Sequence, residues 1–493
     1  MSSAQFAPAL PATRGVTWLR AVCAMCMALF VIGFAFFDEI EAALRTWDSS
    51  TAYNHCWLVL PVAGWLAWSR RDRLKAIRPE PWPAGTFGVA AAAIAWVAAE
   101  RLGIMEGRQL AVIGMVWALV LSVFGWPFVK AMAAPLSYLV FLVPFGEFMV
   151  PSLQRWTAWF IVGGLNVLGI PNYHDDLVIE IPAGSFLVAE ACAGLRFMVA
   201  ALAFGALYAF TMFQSPWRRV AVMALAVIVP LVANGARALG IVLLGHYVGN
   251  AEAAAADHVV YGWVFFSVVI LLLVLVGMPF REDRDRALVI LSAYPGSQRG
   301  MASLVSSALL CSMLAVGAPA FAHILDSGEP PTTLPFQLSL AGGCGSGSNE
   351  AVDRCENAVV TASLVVFSPR TTWAKVSAER RKLMIQSDEA LTFSIATDGA
   401  VWHARQDRDG GTVVALASWL NGRPAGDGLR SRLVQALNSL FGGRGQPVIG
   451  VVAVQPGVSI TNAAAQQRYR AWIRKLVEAG ATSMTTEGLA LSR

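Results

Sequence analysis

The chain has 493 residues, of which 56% are hydrophobic and only 14% charged, with a mean hydropathy of +0.57. These proportions exclude an ordinary soluble globular protein and make an integral membrane protein the default. A net charge of +5 is small and points to no nucleic acid, and seven cysteines without a repeated CxxC pattern argue against a zinc or iron–sulfur framework.

Arg14 and Arg20 precede an apolar run that reaches Phe37. It is too long, and too unlike a cleavage site at its end, for a simple signal peptide. It reads as a first span entering from the cytoplasm, followed by an acidic outer loop with Asp38, Glu39, Glu41 and Asp48. A second span over 53–68 stops at Arg70, Arg71, Arg73, Lys75 and Arg78, a strong cytoplasmic marker. Spans three and four are expected over 84–99 and 110–128, joined by an outer loop with Glu100 and Arg101. Lys130 then marks an inner turn before a fifth span over 131–148. The stretch 153–168 is apolar but short and carries Gly163 and Gly164. As a full crossing it would place Arg218 and Arg219 outside, against the positive-inside rule, so it is read as re-entrant or interfacial.

Residues 171–190 then lie outside, with two short strands over 177–181 and 185–189 flanking Pro182-Ala183-Gly184. A sixth span descends over 192–212, a seventh rises over 220–244, and a loop follows over 245–257. An eighth span descends over 258–280 to Arg281, Asp283, Arg284 and Arg286. After Arg299 a further apolar run, 301–318, ends in the signal-like Ala318-Pro-Ala320-Phe-Ala322 and is read as an uncleaved ninth span. Beyond it the composition becomes that of a soluble domain. Strand patterns fall at 358–367, 391–395, 412–416 and 448–454, and helical patterns at 430–441 and 464–478. The expected fold is a polytopic α-helical membrane protein, eight spans plus a ninth, with a C-terminal extracytoplasmic α+β domain. Its parts are a membrane domain over 1–285, a linker with the ninth span or signal-like segment over 286–322, and the outer domain over 323–493.

Candidate chemistry centres on Cys192, where an extended segment meets an apolar helix in Ala189-Glu-Ala-Cys192-Ala-Gly-Leu-Arg196. Most cysteines in membrane helices are small buried hydrophobes, the role assigned to Cys23, Cys26, Cys56 and Cys311. Cys192 differs because a helix N-terminus favours a thiolate, Glu190 and Arg196 flank it, and Gly194 lets another segment approach closely. Arg237 lies inside a span, where an arginine costs about 2.5–3.5 kcal/mol on insertion scales. The bland alternative is snorkelling to the outer surface. Asn234, three residues earlier, shares its helical face. His258 opens the eighth span beside Tyr261 and Trp263 and is otherwise an aromatic-belt histidine; His246 competes for its role. The topology, drawn from basic residues, places Cys192, Arg237 and His258 in the outer third of spans six to eight. A thiol, a fixed cation and an imidazole form a cysteine acyl-transfer set. His55 is either a substrate contact or an interfacial residue. Cys344 and Cys355 are a disulfide candidate in an oxidising compartment. Asp407, Arg408 and Asp409 read as a solvated turn. No phosphate loop, serine triad, metal set or cofactor motif is found.

Several stretches resemble the exosortases, relatives of the archaeosortases. They are Tyr53-Asn-His55-Cys-Trp-Leu-Val-Leu-Pro61, Leu168-Gly-Ile-Pro171, Ala189-Glu-Ala-Cys192-Ala-Gly-Leu-Arg196-Phe, Asn234-Gly-Ala-Arg237 and Asp257-His258-Val-Val-Tyr-Gly262-Trp. The resemblance covers 15–280 and implies an eight-span cysteine protease or transpeptidase of the bacterial inner membrane. Its partners would be exported proteins ending in a tripartite signal: a PEP-CTERM-like motif, a transmembrane helix and a basic tail. It assigns the nucleophile to Cys192 and the arginine and histidine to Arg237 and His258. Glu190, Gly194, Arg196, Asn234 and His55 would support the site or bind substrate. Membrane lipid, and a lipid- or polysaccharide-linked amine as acceptor, are the other partners implied. Residues 323–493 are matched only by position and size to a domain fused to some exosortases. The rival expectation is a non-enzymatic transporter or scaffold for exopolysaccharide export, with Arg237 and Asn234 lining a path for an anion.

Overall fold

The computed structural model describes residues 17–75, 77–249, 259–282, 301–326, 330–338, 344–346, 352–355, 358–384, 391–406, 412–443, 445–456 and 463–493. Its contacts divide the chain into two compact units, Met1–Ala92 with Gln109–Ala315, and Ala93–Arg108 with Val316–Arg493.

The first unit is helical. The chain runs through α1 (Trp18–Ala35), α2 (Phe37–Ser49) and α3 (Val59–Trp68), then α4 (Gly85–Leu102) and α5 (Met105–Phe124). It continues through α6 (Ala133–Tyr138), α7 (Val150–Val167), α8 (Leu195–Met212), α9 (Pro216–Tyr247), α10 (Val259–Gly277) and α11 (Met301–Leu325). Six helices are long and apolar enough to cross a membrane, or seven if one bent pair counts as a span, so the expected eight plus one is not reproduced among the described residues. The shortfall has local causes. The second span is a 3-10 turn, Asn54–Leu58, followed by the ten-residue α3. The fifth span and the re-entrant stretch are the two arms of one element bent by 64°. Pro144 cannot continue the first arm, and Gly146 takes a left-handed φ of +118° at the corner. The acidic outer loop is instead the helix α2. Glu39, Ala43 and Trp47 form its buried face, and Asp38 and Glu39 stand in its first turn, where a helix dipole favours anions.

Contacts between helix ends fall into two sets. At one end, Arg70 donates from the end of α3 to Phe210 O in α8 at 3.1 Å, and Trp82 N donates to Ser122 O in α5 at 2.9 Å. Glu282, after α10, accepts from the N–H groups of Gln214 and Ser215 between α8 and α9, and those donors hold its carboxyl below the usual range. At the other end, Gln109 Nε2 donates to Glu39 O at 3.1 Å. The basic-residue reading puts the first set inside and the second outside, so its sidedness is self-consistent.

Between α7 and α8 lies a small antiparallel sheet, β1 (Tyr173–Asp175), β2 (Val178–Ile181) and β3 (Gly184–Leu187), in that order. The expected two-strand hairpin is there, with Ile181 opposite Gly184, and β1 is an added strand.

The second unit holds a nine-stranded sheet. Its strands are β4 (Thr332–Pro335), β5 (Cys344–Ser346), β6 (Val352–Cys355), β7 (Ala358–Val366), β8 (Leu391–Thr397), β9 (Ala400–Gln406), β10 (Val413–Leu420), β11 (Arg423–Pro424) and β12 (Val448–Pro456). The main path runs β5-β6-β7-β12-β10-β9-β8, with each neighbouring pair antiparallel. One face packs Trp402, Trp419 and Val452 against Ile473, Val477 and Met484 of α14 (Ala463–Leu491). The other packs Leu416 and Ile449 against Trp373 and Val376 of α12 (Trp373–Leu383), with Val434 of α13 (Leu429–Phe441) beside them. Because both faces are covered, all eight residues of the central β10 are buried. The expected strands and two helices are found, and α12 is an addition.

This unit also contains the ends of α4 and α11. Arg101 is fully buried, paired with Glu100, bonded to Asp326 at 2.9 Å and to Ala322 O at 3.3 Å; Asp326 in turn meets Lys375 of α12 at 2.6 Å. Glu100 and Arg101 therefore belong to the last turn of α4 and not to a free loop.

Candidate active site

The site grows from the end of β3. Val188 N–H continues the sheet by donating to Leu177 O at 2.9 Å, and the chain then turns, with Cys192 N donating to Ala189 O at 2.9 Å. Glu190–Ala193 form a 3-10 turn, and α8 starts at Leu195. Gly194 joins the two with φ +78°, a left-handed conformation that side chains rarely adopt. A Cβ there would also stand 2.5 Å from Asn234 Cγ. Glycine is thus required both by backbone conformation and by the close approach of α9.

Cys192 is half-buried, at the edge of an aliphatic cluster that includes Ile161, Val188, Ala238 and Val242. Its carbonyl accepts from Asn234 Nδ2 at 2.8 Å. Asn234 and Arg237 are both buried on α9, 2% and 3% exposed, so Arg237 does not snorkel away from the helix packing. The Arg237 guanidinium lies 5.6 Å from the centre of the Phe197 ring, and that of Arg196 lies 4.8 Å from the same ring. One aromatic ring on the first turn of α8 thereby gathers two cations beside the thiol-bearing turn. The N-terminal turn of α10 approaches the same place: a Cβ at Gly262 would be 3.5 Å from Arg196 Nη2 and 3.6 Å from Phe197 Cζ.

Of the residues expected from sequence, Cys192, Gly194, Arg196, Asn234 and Arg237 come together around this turn. Glu190 opens the 3-10 turn and is exposed. His258 lies outside the described residues, immediately before α10. His246 is in the last turn of α9, its Nδ1 buried without a hydrogen-bond partner and its ring edge-on to Tyr247. His55 bonds Ala52 O through Nδ1 at 3.1 Å and meets Cys56 Sγ through Nε2 at 3.9 Å. Cys56 and Tyr53 pack in one cluster with Ala193 and Leu195, so the His55 turn adjoins the Cys192 turn. Cys344 and Cys355 lie opposite one another in the β5–β6 register. Asp407, Arg408 and Asp409 lie outside the described residues.

Sequence reading passed over two polar residues on α7. Gln154 Nε2 donates to Val188 O at 2.9 Å, and Thr157 Oγ1 lies 3.5 Å from Asn234 Nδ2. Their signal was available: a carboxamide and a hydroxyl three apart in an apolar stretch share one helical face.

A thiol on a strand-to-helix turn, backed by buried polar groups and a buried arginine within packed apolar helices, defines a multi-pass membrane protein with a cysteine-centred site. The family model described as transmembrane exosortase (Exosortase_EpsH) matches residues 47–275, somewhat less than half of the chain. Over that stretch, which holds every described element of this site, the chain is similar to the transmembrane exosortases, a family of cysteine-protease or transpeptidase type. No curated protein and no solved structure matches the chain.

Proposed function

We propose that this protein is an inner-membrane cysteine peptidase or transpeptidase acting on exported proteins that end in a short PEP-CTERM-like motif, a transmembrane helix and a basic tail. The observation that carries the reading is the hydrogen bond from Asn234 to the Cys192 carbonyl, which ties the thiol-bearing turn to the helix that also carries the buried Arg237. The substrate helix lies among the apolar helices, so its cleavage motif emerges at the outer surface beside Cys192.

Cys192 thiolate attacks the scissile carbonyl carbon, forming a C–S bond as the C=O electrons move onto oxygen. Arg237 stabilises the thiolate or that oxyanion electrostatically. The C–N bond then breaks, and His258 gives its proton to the leaving amine. In the second half-reaction His258 takes a proton from water, or from an amine on a lipid or polysaccharide carrier. The new bond to carbon releases the thiolate. Water gives hydrolysis and the amine gives transfer. Residues 323–493 stand on the outer face in this reading.

The test is to trap the acyl-enzyme. The full chain is co-expressed with an exported protein bearing the tripartite tail, and the Cys192 peptide is analysed by mass spectrometry. A substrate fragment in thioester linkage, lost in Cys192→Ser, is expected. Cleavage of the tail in Cys192→Ala would place the nucleophile elsewhere. Failure to cleave any of several such tails would favour a transport or scaffold role.

A further inference from the structure

The turn carrying Cys192 is held at both ends by a carboxamide, each from a different helix. Ahead of the turn, the Val188 peptide is fixed on both sides: its N–H donates to Leu177 O, and its carbonyl accepts from Gln154 Nε2 of α7, both at 2.9 Å. At the far end, Cys192 O accepts from Asn234 Nδ2 of α9. Thr157, one turn along α7 from Gln154, lies against that same Nδ2. Gln154, Thr157 and Asn234 are 8%, 0% and 2% exposed, and their chain neighbours Ala158, Ile161 and Ala238 belong to the aliphatic cluster with Val188. Water cannot compete for these bonds, so each fixes a backbone carbonyl more stiffly than it would at a surface.

The helices beneath are themselves locked. Gly235 admits the Phe160 ring, which a Cβ would meet at 2.7 Å, and Gly164 admits Leu239, at 2.4 Å. α7 and α9 therefore cross closely, and Gln154 and Asn234 project from one rigid pair.

We propose that Gln154 is a positioning residue for Cys192. Together with Asn234 it sets where the thiol stands relative to Arg237, and α7 is the platform beneath the site. The proposal rests on Cys192 being the nucleophile and assigns Gln154 no contact with substrate. Catalysis that depends on near-attack placement is lost steeply when a reacting atom moves by an ångström.

The experiment uses the full chain in detergent or nanodiscs. It follows site-resolved alkylation of Cys192 by iodoacetamide against pH, read on its tryptic peptide, alongside processing of a tailed substrate. Gln154→Met keeps length and apolar fit but removes the donor. It is expected to displace the pH midpoint of Cys192 alkylation and to slow processing by about tenfold or more, with membrane insertion and melting close to wild type. A normally inserted Gln154→Met protein with a wild-type alkylation profile and wild-type processing would overturn the proposal. Should that variant fail to insert, Gln154→Glu decides. Its neutral acid donates to Val188 O and its ionised form cannot, so an added step in the alkylation profile is expected, and a profile identical to wild type overturns the proposal. The alkylation readout needs no substrate. If Cys192→Ala still processes the tail while Gln154→Met shifts the profile, Gln154 holds the turn but its catalytic positioning role falls with the nucleophile assignment; a shifted profile with Cys192→Ala inactive upholds both.

Discussion

At the scale of single residues, the site is a problem in fixing one thiol within an apolar medium. Gly194 is the residue most constrained by that task. Gly194→Ala combines a left-handed φ, costing roughly 1–2 kcal/mol for an L side chain, with a methyl group at 2.5 Å from Asn234 Cγ. The expected result is a clear fall in melting temperature and loss of processing. Adding Asn234→Gly should recover part of the melting temperature, since it removes Cβ at 2.9 Å as well as Cγ and Nδ2, while the backbone strain stays. Stability indifferent to the second change would mean that the two residues do not press on one another. Arg237 poses the complementary case, a buried charge that the proposed mechanism sets beside the oxyanion. Arg237→Gln retains hydrogen-bonding capacity without the charge. It should reduce tail processing by about 10²–10³-fold, the cost of removing one oxyanion-stabilising group, while the Cys192 peptide remains alkylatable. Processing within a few-fold of wild type would reassign Arg237 to packing.

At the scale of elements, the ninth apolar run carries the prediction. Its Ala318-Pro-Ala320-Phe-Ala322 pattern looks like a cleavage site in sequence, yet α11 continues through it to Leu325, with Ala318 and Ala322 buried and Ala322 O bonded to Arg101. Proteases take their substrates extended, and a helical stretch packed against a buried arginine does not present itself so. A C-terminally tagged protein should therefore migrate as the intact 52.7 kDa chain in the membrane fraction. A soluble tagged fragment beginning near residue 323 would show that the helix is cut. The same element shows why some of the fold was legible. Long unbroken apolar runs, such as those behind α8, α9 and α11, announce themselves by composition alone. The broken element of α6 and α7 did not, because Pro144 and Gly146 sit between two stretches that are each apolar, and hydropathy counts neither bends nor the direction in which a helix leaves them. In sequence α2 reads as a loop, since its charges outweigh its buried face of Glu39, Ala43 and Trp47. In the site, Cys192, Asn234 and Arg237 stood out as polar groups in apolar surroundings. Gln154 is as polar a group in an apolar stretch, but its partner is a backbone carbonyl 34 residues away, and no sequence pattern marks a carbonyl.

At the scale of the whole molecule, sidedness is the remaining question, and charge bias and contacts bear on it independently. Positive-inside counting puts the end of α4 and everything after α11 on the same, outer side. The bonds from Arg101 to Asp326 and Ala322 O join those two helix ends within one unit, which no topology with the ends on opposite faces permits. The contacts fix which ends lie together, and the charge bias names the side. Chemistry can check that name. Cys344 and Cys355 are directly paired across β5 and β6, and residues so placed stand about 4.5–5.5 Å apart at Cα, inside the span a disulfide bridges. In an oxidising compartment they should be joined, and in the cytoplasm they should remain thiols. Treating denatured full-length protein with a polyethylene-glycol maleimide, before and after reduction, should show two additional modified cysteines only after reduction, both absent from the Cys344→Ser/Cys355→Ser protein. Modification of both without reduction would place the sheet domain in a reducing compartment, and the inner and outer assignments of every span would then reverse together.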